Sequence, residues 1–101
     1  LRSQNYEKLR IVIGMVKDKD ISGVLSLLPR DAVYYFTNAT TERALPALKL
    51  KEKAERLGLN GNAYSAVEQA VKSALKEAGE NDFVFVGGSN FVVGEALPVF
   101  D

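Results

Sequence analysis

Apolar and polar positions along this chain fall into blocks whose period switches between that of a strand and that of a helix. Leu9 to Met15, "LRIVIGM", ends in a near-continuous apolar run, the pattern of a strand buried on both faces. Asp20 then stands where a carboxylate can accept the free N–H groups of a first helical turn. Ile21, Val24, Leu25 and Leu28 recur at helical spacing until Pro29 stops the helix. A second β-branched and aromatic run, Asp31 to Thr37, leads through "NATTERALP" into a helix with Ala47, Leu50, Ala54 and Leu57 on its inner face and Gly58 at its end. Lys49, Lys53 and Arg56 take the opposite face and interleave with Glu52 and Glu55, which reads as a solvated helix surface.

Gly61 to Ser65, "GNAYS", occupies the place where a third strand is due. Ser65 and Glu68 have the S-x-x-E spacing of a capping box. Val67, Val71, Ala74, Leu75 and Ala78 follow on one helix face, closed by Gly79. Asp82 to Val86, "DFVFV", predicts another buried strand, and "GGSNFVVGEALP" a turn into a short apolar helix ended by Pro98. Strands alternating with helices predict an α/β fold, a Rossmann-like and mainly parallel sheet with right-handed crossovers and helices on both faces. Leu1 to Tyr6 reads as the end of a helix descending from an earlier strand that this chain lacks. The 101 residues, 47% of them hydrophobic, suit one domain spanning residues 1–101.

Composition removes several functions. Thirteen basic and thirteen acidic residues cancel, so no field gathers nucleic acid or an anionic membrane. Without cysteine or histidine, thiolate metal sites, disulfides and histidine-based triads are excluded. No metal site and no catalytic residue is expected in this chain. No apolar run reaches the roughly 20 residues of a membrane span, and the chain reads as soluble and cytoplasmic.

In open α/β sheets, ligands collect at the carboxyl ends of the strands, where loops and helix N-termini meet. "VKDKD", "TNATTER" and "GGSN" share that rim. In the first, the Lys19 ammonium can be aimed at an anion by flanking Asp18 and Asp20, or the segment is an exposed charged loop with Asp20 as a helix cap. In the second, Arg43 beside Asn38, Thr40 and Thr41 can clamp a carboxylate through parallel hydrogen bonds, or is a surface residue. In the third, Gly87 and Gly88 let backbone approach a ligand and Ser89, followed by Asn90, can hold an anionic oxygen, or the segment is only a tight turn and cap. There is no G-x-G-x-x-G and no G-x-x-x-x-G-K-[ST] phosphate loop. Asp18 and Asp20 have the residue types of a paired-carboxylate hydrolase, but nothing fixes their separation. A phosphorylation-receiver domain would need an Asp after the third strand, which "GNAYS" does not supply.

Taken in order, Gly14, Met15, Asp18, Lys19 and Asp20, then Arg43 and Ala44, then Phe83 to Val86, Gly88, Ser89 and Phe91 to Leu97, resemble the C-terminal domain of folylpolyglutamate synthase/dihydrofolate synthase, of the Mur ligase superfamily. The resemblance covers nearly the whole chain and is most specific at "DKD" and "VFVGGSNFVVGEAL". It implies an ATP-dependent ligase with ATP and Mg²⁺ as cofactors. ATP phosphorylates a carboxylate of dihydropteroate or a folate, and the amine of L-glutamate attacks the acyl phosphate to form an amide. It implies that an N-terminal ATP-binding domain supplies the phosphate loop, and that Lys19 and Ser89 contact the glutamate carboxylates, supported by Asp18, Asp20, Arg43 and Asn90. The family's Asp-x-x-His-Asn motif cannot be present in a chain without histidine, so the expectation is an N-terminally truncated domain, inactive alone. A peptidoglycan Mur ligase domain and a noncatalytic Rossmann-like domain for small anions are the competing readings.

Overall fold

The computed structural model describes residues 8–18, 20–80, 82–87 and 90–97, with backbone alone at 90, 91 and 93. Strands β1 (Leu9–Ile13), β2 (Val33–Phe36), β3 (Gly61–Ala63) and β4 (Phe83–Gly87) alternate with helices α1 (Ile21–Ser26), α2 (Ala47–Arg56), α3 (Val67–Glu77) and α4 (Asn90–Ala96). All strand pairs are parallel, in the order β3-β2-β1-β4. The expected parallel α/β sheet is therefore present among the described residues. The expected earlier strand and the Leu1 to Tyr6 helix lie outside them.

β1 occupies the middle because its last three residues, Ile11, Val12 and Ile13, are all apolar and buried. Ile11 and Ile13 face one core with Tyr34 and Phe36 of β2, Ile21 and Leu25 of α1, and Leu50 and Ala54 of α2. Val12 points to the other face and packs with Tyr35, Val67, Ala70, Val71 and Ala74, and with Val92 and Ala96 of α4. The two-residue period of the strand thus feeds two separate cores. The chain steps outward from β1 to β3, then returns past β1 to lay down β4. This reversal puts a topological switch point between the carboxyl ends of β1 and β4.

Local chemistry sets the helix ends. Asp20 caps α1 as expected, its Oδ1 accepting the Gly23 N–H at 3.2 Å. α2 closes in a Schellman turn, with Gly58 at φ 86° and the Gly58 and Leu59 N–H groups donating to Glu55 and Ala54. α3 departs from expectation. It starts at Val67 behind Ala66, one residue past the position that would make Ser65 a cap, and no side chain caps it. Ser65 Oγ instead pairs with Gln69 Oε1, and Glu68 accepts from Lys72 one turn on, so the capping box does not form. Leu75, expected on the inner face, is 42% exposed.

β4 also differs from the expected strand buried on both faces. Val84 and Val86 pack on the α3–α4 core, but Phe83 and Phe85 are 45% and 53% exposed. The apolar run is real, yet β4 ends the described sheet and α1 and α2 cover only its neighbours. Pro98, the expected helix stop, lies outside the described residues.

At the amino ends of the strands a polar cluster ties four elements together. Arg10 Nε donates to Asp82 Oδ2 at 2.9 Å and Nη1 to the Tyr35 hydroxyl at 2.8 Å, while that hydroxyl donates to Glu77. Asp82 Oδ2 also accepts the Gly79 N–H at 3.1 Å. The Arg10 and Asp82 side chains are only 13% and 7% exposed, so each needs its partner. The Gly79 N–H, and after it the Arg10 guanidinium, hold the Asp82 carboxyl below its ordinary range. Burial first, and then the bond to Glu77, push the Tyr35 phenol up to about 12.

At the opposite end, a Cβ built on Gly14 would lie 2.7 Å from the Thr37 carbonyl oxygen and 2.7 Å from Val92 Cγ2. Only glycine lets α4 sit directly on the end of β1.

Because the folded Asp82 carboxyl titrates below the ordinary value near 3.8, its stabilisation is complete above that pH and is lost as pH falls through the folded pKa. Asp82→Asn should lower the Tm by a roughly constant margin between pH 5 and 8, on the order of 5 °C, and the gap should close below pH 4. A gap independent of pH down to 2 would refute the ionic role. Gly14→Ala should cost about 1–3 kcal/mol by overpacking, read as a lower urea midpoint; an unchanged midpoint would show that α4 is free to move aside.

Candidate functional site

The rim at the strand carboxyl ends is built, among the described residues, from the loops that leave β1 and β2, with the end of β4 beside them. Sheet order places β2 and β4 on either side of β1, so the loops after β1 and β2 are neighbours. The two are stitched together by backbone. Val16 and Ala44 form an isolated antiparallel bridge, the Lys17 N–H donates to the Arg43 carbonyl at 2.8 Å, and the Leu45 N–H donates to the Met15 carbonyl at 2.8 Å. Met15, Val16 and Leu45 are buried beneath this stitch, which leaves the charged side chains of the same segments facing out.

The stitch brings two expected site residues into contact. Arg43 Nη2 lies 2.8 Å from Asp18 Oδ2, with side chains 63% and 65% exposed. Such a pair contributes little to stability. What it does is orient a guanidinium whose remaining N–H donors stay available in a planar fork. Asp20 caps α1 and Asp18 pairs with Arg43, roles that lend the hydrolase reading no support. Lys19 and Ser89 lie outside the described residues, as does Gly88. Asn90 opens α4, but its side chain lies outside them as well.

Two further residues shape the same rim, Asn38, already noted in the sequence, and Glu95, which was not. Asn38 Oδ1 accepts the Ala47 N–H at 3.0 Å, supplying the cap that Pro46, at the N-cap position of α2, has no side chain to make. Glu95 of α4 reaches across to Thr40 in the β2–α2 loop. A sequence signal existed for Glu95: it is a charged residue set within the apolar run "FVVGEAL". Beyond the ends of β2 and β3, an open cavity of about 310 Å³ is lined by Asn38, Pro46, Ala47, Leu48, Tyr64 and neighbouring residues. It adjoins the β2 loop and is mainly apolar, near the small end of the range for ligand pockets. Among the described residues no group of three or more acidic side chains is placed to hold a metal ion.

Comparison with known proteins gives this geometry its context. Residues 1–90 match the family model "Mur ligase, glutamate ligase domain". The dihydrofolate synthase/folylpolyglutamate synthase of Escherichia coli is 37% identical over 92 residues, covering 89% of this chain and 21% of that protein. The solved E. coli FolC in complex with DHPP and ADP superposes with a TM-score of 0.83 at 33% identity, covering 93% of this chain and 22% of that one. A bifunctional folylpolyglutamate synthase/dihydrofolate synthase with Mn, AMPPNP and L-glutamate bound gives a TM-score of 0.78 at 27% identity, covering 98% and 24%. The chain spans 11% to 21% of the length of the curated relatives it matches. With the family model matching nine-tenths of its residues, the chain belongs to the glutamate ligase domain family of the Mur ligases, beside the folylpolyglutamate and dihydrofolate synthases.

Proposed function

We propose that this domain handles the amino-acid substrate in an ATP-dependent ligase that joins L-glutamate to dihydropteroate or a tetrahydrofolate. The observation that carries the reading is the match across nearly the whole chain to synthases of that name, including one solved with L-glutamate and another with DHPP and ADP. The rim geometry supports it. An incoming amino acid with two carboxylates needs fixed cations and hydrogen-bond donors on a rigid scaffold, and the switch point between β1 and β4 is where such a scaffold offers them.

In the proposed reaction, ATP transfers its γ-phosphoryl group to a substrate carboxylate, releasing ADP. The glutamate amine then attacks the acyl carbon, an amide C–N bond forms, the C–O bond to phosphate breaks, and the amine proton passes to solvent or a base. This domain's share is orientation. Lys19 and Ser89 hold the glutamate carboxylates, while Arg43, kept in place by Asp18, along with Asp20 and Asn90, completes the polar surround. Effective molarity gained this way is a large lever for amide formation between two bound reactants. The described residues do not fit a divalent metal: Asp18 is paired with Arg43, Asp20 caps a helix, and no acidic group of three exists among them. The chain also has no phosphate loop, so ATP and Mg²⁺ would be held by an N-terminal ATP-binding domain of the longer protein. The reading places that protein in cytoplasmic folate biosynthesis and one-carbon metabolism, with this stretch alone inactive. Among the described residues no helix is long and apolar enough to cross a membrane.

The test uses the full-length protein and follows glutamate-dependent ADP release with dihydropteroate or tetrahydrofolate, with muramyl substrates as control. Lys19→Ala and Ser89→Ala should each raise the KM for L-glutamate about tenfold or more, as expected for a lost charge-assisted hydrogen bond, with the KM for ATP nearly unchanged. If both variants keep the wild-type glutamate dependence, the residue assignment fails. Turnover of the muramyl substrates alone would overturn the folate reading.

A further inference from the structure

Glu95 lies on α4, which packs with α3 on the sheet face opposite α1 and α2. Its carboxylate nevertheless crosses to the loop between β2 and α2. Oε2 accepts the Thr40 backbone N–H at 2.8 Å and the Thr40 hydroxyl at 2.7 Å. One oxygen thus takes two donors from a single residue, in the length range of charge-assisted hydrogen bonds. Thr40 is exposed and Glu95 half-buried, so no desolvation forces the pairing. Water could satisfy both groups, and the contact forms because α4 and the loop are brought to one place.

The loop has other fastenings, toward its ends and at Ala39, which is buried in the core that includes Val92 and Ala96 of α4. Asn38 is tied to Ala47, and Arg43 to Leu45 are stitched to the β1 loop. Between them, Thr41 bonds among the described residues only within the loop, its carbonyl accepting from the Ala44 N–H and its hydroxyl from the Arg43 N–H. Glu95 holds the middle of this span from outside. The helix that carries it is located by apolar contacts, Val92 and Ala96 in the core and Val92 against Gly14. Such contacts fix a distance but not a direction.

We infer that Glu95 is a positioning residue for the anion-binding side of the rim: by gripping Thr40 it sets the path of loop 37–46, and with it the place from which Arg43 presents its guanidinium beside Asp18. The inference rests on the reading that Arg43 meets a substrate carboxylate. Glu95 does not itself touch the reacting groups. One of its oxygens, Oε2, is engaged by the two Thr40 donors.

The experiment compares full-length wild type with Glu95→Ala, Glu95→Gln, Arg43→Ala and the Glu95→Ala/Arg43→Ala double variant, measuring kcat, the KM for L-glutamate, the KM for ATP and Tm. Glu95→Ala should raise the KM for L-glutamate about tenfold, a plausible effect of a displaced substrate-orienting group, with kcat and the KM for ATP within about twofold. Glu95→Gln keeps a carbonyl oxygen for the same two donors and should stay near wild type. The double variant should be no worse than Arg43→Ala, because the two residues act through one route. An unchanged glutamate KM in Glu95→Ala alongside a raised one in Arg43→Ala overturns the inference and leaves the functional reading standing. No effect in Arg43→Ala overturns both at this residue. Additive losses, or kcat and both KM values shifting in step with Tm, would show an ordinary structural role and overturn the inference. If Glu95→Ala does not fold, Thr40→Val, which removes one of the two donors, should raise the glutamate KM severalfold, and no rise refutes the proposal.

Discussion

β1 has no exposed side chain at Ile11, Val12 or Ile13, and it is hydrogen-bonded along both edges, to β2 and to β4. A strand in that condition forces the rest of the architecture. Each face must be covered by helices, so the chain has to place α1 and α2 on one side and α3 and α4 on the other. Both edges must be paired, so the chain has to reverse direction across the sheet after β3. The reversal creates the switch point beside Gly14, where the absence of a side chain lets Val92 and Thr37 close in. The location of the candidate site is in this sense a consequence of burying three consecutive apolar residues.

The two ends of the sheet are held by opposite strategies. At the amino end, the shielded Arg10, Asp82 and Tyr35 join the more exposed Glu77 in a network in which each polar group is matched. Removing one partner would leave a shielded charge without compensation, which makes the network strict about geometry. At the carboxyl end the polar pairs Asp18–Arg43 and Thr40–Glu95 are open to water. Water competes for these groups, so each pair contributes less to stability than a shielded one. The strict network thus lies at the end of the sheet away from the candidate rim.

Much of the architecture was legible in the sequence because apolar periodicity reports burial directly. The runs through Ile11, Tyr34 and Val84 became parallel strands, and Ala47, Leu50 and Ala54 became the buried face of α2. Periodicity cannot say where a sheet ends, which is why Phe83 and Phe85, apolar by type, were read as buried. It also cannot fix a helix start to one residue, so the S-x-x-E spacing at Ser65 suggested a cap that α3 misses by one position. Of the candidate site, Asp20 was legible as a cap because that bond is local in sequence. The Asp18–Arg43 pair joins residues 25 positions apart and Thr40–Glu95 joins residues 55 apart. Neither could be read without the sheet order that brings the loops together.

The charged segment after β1 acquires a definite division of labour from these contacts. Asp20 looks inward along the chain and fixes α1; Asp18 looks across to Arg43 and ties two loops. Consecutive charges in a neutral chain therefore do not amount to a patch with a field of its own. The two carboxylates are each assigned to a neighbour, Asp20 to the start of α1 and Asp18 to Arg43, and the backbone stitch from Lys17 to Arg43 holds the two loops side by side. A site assembled this way depends on loop path more than on net charge. Specificity for an anion would follow from the spacing of donors, since a surface of balanced charge offers no long-range attraction to compensate for a poor fit.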